Sequence, residues 1–277
     1  MLFIFFNGGL TSEQWYTHPY EENIKTDLIN QIEKLGKIYL YDPIFYTKKG
    51  FTIDDLNLIN HCKSLYDTVK DISNEYFLIS HSRGHILAHI FISLYGKHVK
   101  GFINIDGGSP ELGHLNILSA DNIKYENTTN DDLEVMFNDI KNNNKEAKSK
   151  LSNIVKYFMY KQYNAIIIYF NFDFPVYILN NIYHNDEINL NMDDYVKTTL
   201  IDKIKFNEQF SKNKNVKSIY YVNKTHFLYF GMEEDILDMI KRMLGYKLCN
   251  GKNMDRYKSI KYKTKYIKIK NELEKNK

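Results

Sequence analysis

A serine that attacks a carbonyl needs exposure, room for a sharp turn, and a base within reach. The stretch Phe77-Leu78-Ile79-Ser80-His81-Ser82-Arg83-Gly84-His85-Ile86-Leu87-Ala88 offers the first two. An apolar run stops at Ser80, and a second one starts after Gly84, the pattern of a strand, a five-residue turn and a helix. The turn reads small-x-Ser-x-Gly, with Ser80 where glycine is commoner. A hydroxyl presented on such a turn needs small residues two places to either side, because the chain doubles back on itself. The same turn aims Ser82 at the N-terminus of the following helix, where free N–H groups favour a developing negative charge. The plainer alternative is an ordinary turn serine. A pure apolar strand before it and a buried helix after it favour the nucleophile.

For the base, His226 stands in Val222-Asn223-Lys224-Thr225-His226-Phe227, just past another apolar run. An imidazole with an ordinary pKa near 6.5 is mostly neutral at pH 7 and can accept the proton of a serine. Other histidines read differently. His81 is expected to pack inside the turn. His85 and His89 have the i, i+4 spacing that can bind a metal, but no third ligand of the right kind accompanies them, so they read as core histidines. Asn7-Gly8-Gly9 lacks the lysine and spacing of a phosphate-cradling loop. No metal and no cofactor is expected.

Short apolar runs alternate with longer amphipathic stretches, which predicts a mostly parallel sheet flanked by helices. Strands are predicted at Leu2–Phe6, Ile38–Tyr41, Tyr76–Ile79, Gly101–Ile105, Val176–Leu179 and Val216–Val222. Helices are predicted over Glu22–Leu35, closed by Gly36, and over Ile86–Leu94, with Gly96 in the C-cap position. A further helix opens at a Thr52-x-x-Asp55 capping box and buries Leu56, Ile59, Cys62, Leu65, Val69 and Ile72. Glu233–Leu244 is the closing amphipathic helix. Between Leu115 and Asp173 the rhythm breaks into two helix-like segments, Leu133–Ile140 and the aromatic-rich Leu151–Phe170. Such an insertion would sit as a lid over the strand ends.

With the turn and its context in place, the chain from about Leu2 to Leu244 resembles the α/β-hydrolase superfamily. The resemblance implies an α/β fold with a mostly parallel, doubly wound sheet and a small helical lid. Its parts would be a first core segment (1–114), the lid (115–173), a second core segment (174–247) and a basic C-terminal tail (248–277). It also implies that Ser82 and His226 are the catalytic nucleophile and base. Asn7-Gly8-Gly9 with the downstream Trp15 looks like the family's His-Gly loop, Asn7 replacing its histidine. By the same resemblance the oxyanion donors are the backbone N–H groups of Gly9 and Arg83. The acid that orients the imidazole follows a strand end: Asp186 is the first candidate, with Asp106 and Glu187 as alternatives. Asp42 matches a position that is structural.

The expected reaction is hydrolysis of an ester, thioester or amide bond of a small, partly apolar molecule through an acyl-enzyme. A serine at the elbow argues against the dehalogenase and epoxide-hydrolase branches. Esterase, lipase, thioesterase, peptidase and cofactor-free haloperoxidase branches stay open. The competing reading is a hydrolase scaffold that has lost catalysis and binds a partner.

Composition sets the outer bounds. At 43% hydrophobic and 26% charged, 277 residues can bury a sizeable core. The net charge of +3 implies no acidic partner, although the segment from Asn250 to Lys277 carries ten Lys or Arg against three Asp or Glu. That tail reads as solvated chain, and nucleic acid is not the expected partner. Cys62 and Cys249 make no disulfide framework or metal spacing, which suits a reducing, cytoplasmic setting. No run approaches the ~18 apolar residues of a membrane span. No motif speaks to the oligomeric state.

Overall fold

A computed structural model of the chain describes residues 1–8, 11–43, 50–107, 125–142, 144–165, 172–182, 213–222 and 227–246. Every residue of the first strand, β1 (Leu2–Phe6), is apolar, so it must be covered on both faces. It is: Leu2, Ile4 and Phe6 enter one core and Phe3 and Phe5 the other. A small antiparallel hairpin follows, β2 (Thr17–His18) and β3 (Glu21–Lys25), then the short helix α1 (Leu28–Glu33) and β4 (Lys37–Tyr41). After α2 (Leu58–Val69) come β5 (Tyr76–His81), α3 (Gly84–Tyr95) and β6 (Val99–Ile105). The helices α4 (Asn130–Lys141) and α5 (Lys145–Ala165) precede β7 (Val176–Ile182), β8 (Val216–Val222) and α6 (Glu233–Met243).

Among the described residues the main sheet has six strands in the order β4-β1-β5-β6-β7-β8, all parallel. The chain moves from β1 outward to β4, then crosses back over β1 to β5 and continues in that direction. Parallel crossovers are right-handed, so reversing direction moves the connecting helices to the other face. Accordingly α1 packs with Phe3 and Phe5, whereas α2 and α3 pack with Leu2, Ile4 and Phe6. The reversal lies between β1 and β5. Ligands of open α/β sheets bind outside the strand ends at such a point.

Three sequence expectations change. The helix expected over Glu22–Leu35 begins only at Leu28, because Glu21–Lys25 pairs as the outer strand of the hairpin. Its residues are all exposed, so no core holds them in a helix. The Thr52–Asp55 box forms, with the Thr52 N–H donating to Asp55 Oδ2 at 2.7 Å, but it opens a single 3₁₀ turn. The helix proper starts at Leu58 under a separate cap, Asn57, which accepts the Asn60 N–H; Ile72 falls beyond the helix and is exposed. Gly96 does not adopt the left-handed C-cap geometry: its φ is −54° and it leads directly into the turn Gly96–His98.

Two helices thus separate β6 from β7 in sequence. α4 opens on a capping box of Thr129 with Asp132, and α5 packs on α3. The Gln162 amide ties α5 to the start of α2, accepting the Leu58 N–H at 2.7 Å and donating to the Leu56 carbonyl at 2.6 Å. Tyr157 and Tyr160 are buried in the core shared with α3. These aromatic rings therefore serve helix packing. Residues 115–124 and the basic tail lie outside the described residues.

Candidate active site

Ser82 sits at the end of β5 with φ +49°, in the left-handed region that a non-glycine residue enters at a cost. Three contacts hold it there. Its N–H donates to the Ile105 carbonyl of β6 at 3.0 Å, and its own carbonyl accepts from the His85 N–H and from His85 Nδ1 at 2.7 Å. The side chain stays half-exposed at the C-terminal edge of the sheet.

Two glycines make the turn sterically possible. A Cβ on Gly84 would run into the backbone of Phe6 and Asn7 at the end of β1. One on Gly8 would stand 2.5 Å from the Ser82 Cβ and 2.6 Å from the His81 carbonyl. The loop after β1 and the turn after β5 are therefore in direct contact. Ser80, the turn's other small residue, is fully buried, and its hydroxyl donates to Asn104 Oδ1 of β6 at 3.3 Å.

Asn7 explains how the loop keeps its shape without a histidine. Its side-chain oxygen accepts from the Trp15 indole, and its amide donates to Asp42 and to the Tyr41 carbonyl. Asp42 also accepts the Ser12 hydroxyl at 2.7 Å, so this carboxylate is consumed in holding the loop. Beneath lies a layer of rings. His81, 1% exposed, bonds Gln14 Oε1 through Nδ1 and packs against Trp15, Phe227 and Tyr229. The expectation that His81 packs in the turn holds.

Asp106 follows β6 on the neighbouring strand end, again with positive φ (+44°) and 3% exposed. Its Oδ1 accepts the Asn181 N–H of β7 at 3.0 Å, and its own N–H donates to the Leu179 carbonyl at 2.7 Å. The strand register places Asp106 beside the Ser82 turn. Ser82, Arg83 and Asp106 are thereby brought to one edge of the sheet. Gly9, His226, Asp186 and Glu187 lie outside the described residues. The residue after His226 does not: the Phe227 ring lies 5.0 Å from the ring of His81, the residue before Ser82.

His85 and His89 are buried on the sheet side of α3, their rings 5.7 Å apart. His85 serves the elbow backbone, and His89 packs on Phe102 and Phe172. Burial, and then the neighbouring His85, holds the His89 pKa well below the usual histidine value. Among the described residues no group of three or more histidine, cysteine, aspartate or glutamate side chains is arranged to hold a metal ion.

Gln14 and Asn181 touch this region and went unnoticed in the sequence. Gln14 and Asn181 act on residues 67 and 75 positions away, and no local spacing announces such pairs. Lys156 lies on α5 between the buried Val155 and Tyr157; burial lowers its pKa and the positive charge of Arg83 lowers it further.

No protein-family model matches the chain, and no curated protein matches it. Solved structures do. A probable hydrolytic enzyme from Pseudomonas aeruginosa PAO1 superposes with a TM-score of 0.53 at 12% identity, over 88% of this chain and 85% of that one. A hydrolase from Oleispira antarctica gives 0.51 at 13% identity, over 87% and 90%. An α/β hydrolase enzyme from the metagenome of lagoon sediments at Mar Chica, Morocco, gives 0.51 at 9% identity, over 89% and 92%. At these identities the likeness speaks for the fold, and it agrees with the strand order, the switch point and the elbow built up above. The chain has the α/β-hydrolase fold.

Proposed function

We propose that this protein is a serine hydrolase acting on an ester, thioester or amide bond of a small molecule. The observation that carries the reading is the packing of Phe227 on His81. Phe227 directly follows residue 226, and His81 directly precedes Ser82. In this reading Ser82 Oγ attacks the substrate carbonyl while His226 takes its proton. The tetrahedral intermediate collapses as His226 returns that proton to the leaving oxygen, sulfur or nitrogen. Water, deprotonated by the same imidazole, then attacks the acyl-enzyme, and Ser82 leaves with its proton restored.

The backbone N–H of Arg83 supports the oxyanion role, since among the described residues it donates to no acceptor. Gly9 would supply the second donor; each is worth about 10²–10³ in turnover. Three carboxylates compete for the acid: Asp186, Asp106 and Glu187. Asp106 is buried, oriented by Asn181 and on the strand next to the elbow, while Asp186 follows the strand where the resemblance expects it. Esterase is the branch against which the reading is tested first.

A fluorophosphonate probe should label the wild-type protein, and Ser82→Ala should abolish both labelling and p-nitrophenyl ester turnover. A folded wild-type protein that resists the probe would leave only the alternative, a scaffold that binds without catalysis.

A further inference from the structure

The backbone N–H of Arg83 is half of a peptide group whose other half is the Ser82 carbonyl. That peptide is trans, so the two bonds lie in one plane and point in opposite directions. Whatever fixes the carbonyl therefore fixes the direction of the N–H.

His85 holds the Ser82 carbonyl twice, through its backbone N–H at 3.2 Å and through ring Nδ1 at 2.7 Å. A carbonyl oxygen only accepts, so Nδ1 carries the proton. The opening of α3 gives the ring its task. In a regular α-helix the carbonyl of residue 82 would take the N–H of residue 86. Here the Ile86 N–H donates to the Arg83 carbonyl at 3.1 Å, and the imidazole supplies the second bond instead. The ring is fully buried, which shields that bond from competing water. At its other end Ser82 is tied to β6 by its N–H on the Ile105 carbonyl at 3.0 Å. Between these ties Ser82 keeps its costly φ of +49°. A flip of the Ser82–Arg83 peptide would break both His85 bonds and turn the Arg83 N–H away from a carbonyl under attack by Ser82 Oγ.

We propose that His85 is a positioning residue for the hydrolytic reaction: its Nδ1–H, bonded to the Ser82 carbonyl, keeps the Arg83 N–H aimed at the developing oxyanion. The inference rests on the serine-hydrolase reading and adds to it a buried residue that never touches the substrate. Its contribution is to the transition state, where the oxyanion forms, and not to substrate binding.

Sulfur accepts hydrogen bonds weakly, so an ester whose carbonyl oxygen is replaced by sulfur gains little from an oxyanion donor. Turnover of p-nitrophenyl acetate and of its thiono counterpart therefore separates a misaimed donor from general damage to the fold. His85→Phe keeps a ring and removes the donor. It is expected to lower kcat on the oxygen ester by roughly 10²-fold, with KM changed less than about twofold. The ratio of oxygen-ester to thiono-ester turnover should fall by about tenfold or more. His85→Asn, whose amide can stand where Nδ1 stood, should recover most of both, and His85→Leu is a second donorless variant if the Phe protein does not fold. Wild-type kcat in a donorless variant, an equal loss on the two esters, or an Asn variant no better than Phe would each overturn the proposal while wild-type labelling by a fluorophosphonate still upholds the hydrolase reading. A wild type that neither labels nor turns over overturns both.

Discussion

Ser82 holds its half-exposed place on a turn that two glycines let β1 and the loop after it approach. Gly84 touches the backbone of Phe6, so Gly84→Ala must push β1 and α3 apart. The expected cost is about 1–3 kcal/mol in urea unfolding, together with a loss of esterase turnover larger than the stability change explains. A variant as stable and active as wild type would show that the close approach is not needed. The acid is also decided at this scale. Asp106→Asn keeps the acceptor for the Asn181 N–H and removes only the charge, and Asp186→Asn is its counterpart. Whichever acid orients His226 should lose about 10⁴ in kcat on substitution, the other no more than a fewfold. Comparable small losses in both would leave Glu187 as the carboxylate to test.

At the scale of elements, the inserted helices depend on polar anchors as much as on their apolar faces. Gln162 closes the gap between α5 and α2 by capping two backbone groups at once. Replacing it with alanine strands the Leu58 N–H and the Leu56 carbonyl, at a cost of about 1–3 kcal/mol. Hydrogen exchange should show α5 and the first turn of α2 losing protection together, with β5 and β6 unchanged. The legible part of this layer was its existence, since a helix was expected over Leu133–Ile140, where α4 stands; the Thr129–Asp132 box that opens it emerged only in the structure. The strand β3 was misread as the first turns of a helix. Its isolated, exposed residues carry no burial pattern, and pairing between two strands two residues apart is decided by contacts rather than by periodicity.

For the whole molecule, buried histidines link stability to pH. Burial holds the pKa of His61 and of His89 below the usual value, His61 being fixed between the Tyr41 hydroxyl and the Asp55 carbonyl. The unfolded chain takes up these protons near pH 6.5, whereas the native state resists them. Stability should therefore be level above about pH 7.5 and fall as the pH drops through 6.5 towards the lowered native values. Urea midpoints at pH 7.5, 6.5 and 5.5 measure this. His89→Phe, which keeps the ring against Phe102 and Phe172, should flatten the decline; an unchanged slope would remove His89 as a cause.

What the chain alone determined was whatever short-range pattern can encode. The all-apolar Leu2–Phe6 and Val216–Val222 with its apolar bounds read as strands, the small residues around Ser82 marked a turn, and the order of elements implied a parallel sheet. In sequence, Asn7 reads only as a replacement for the histidine of the family's loop. Only tertiary structure revealed that Asn7, Trp15 and Asp42 rebuild the support of that loop. It alone also set Asp106 on the Asn181 N–H and laid Phe227 against His81. The reason is physical: periodicity and steric demand act on neighbours a few residues apart, and they are written in the local sequence. A charge, a ring or a lone pair finds its partner across the sheet, and which one it meets depends on how every strand between them has paired.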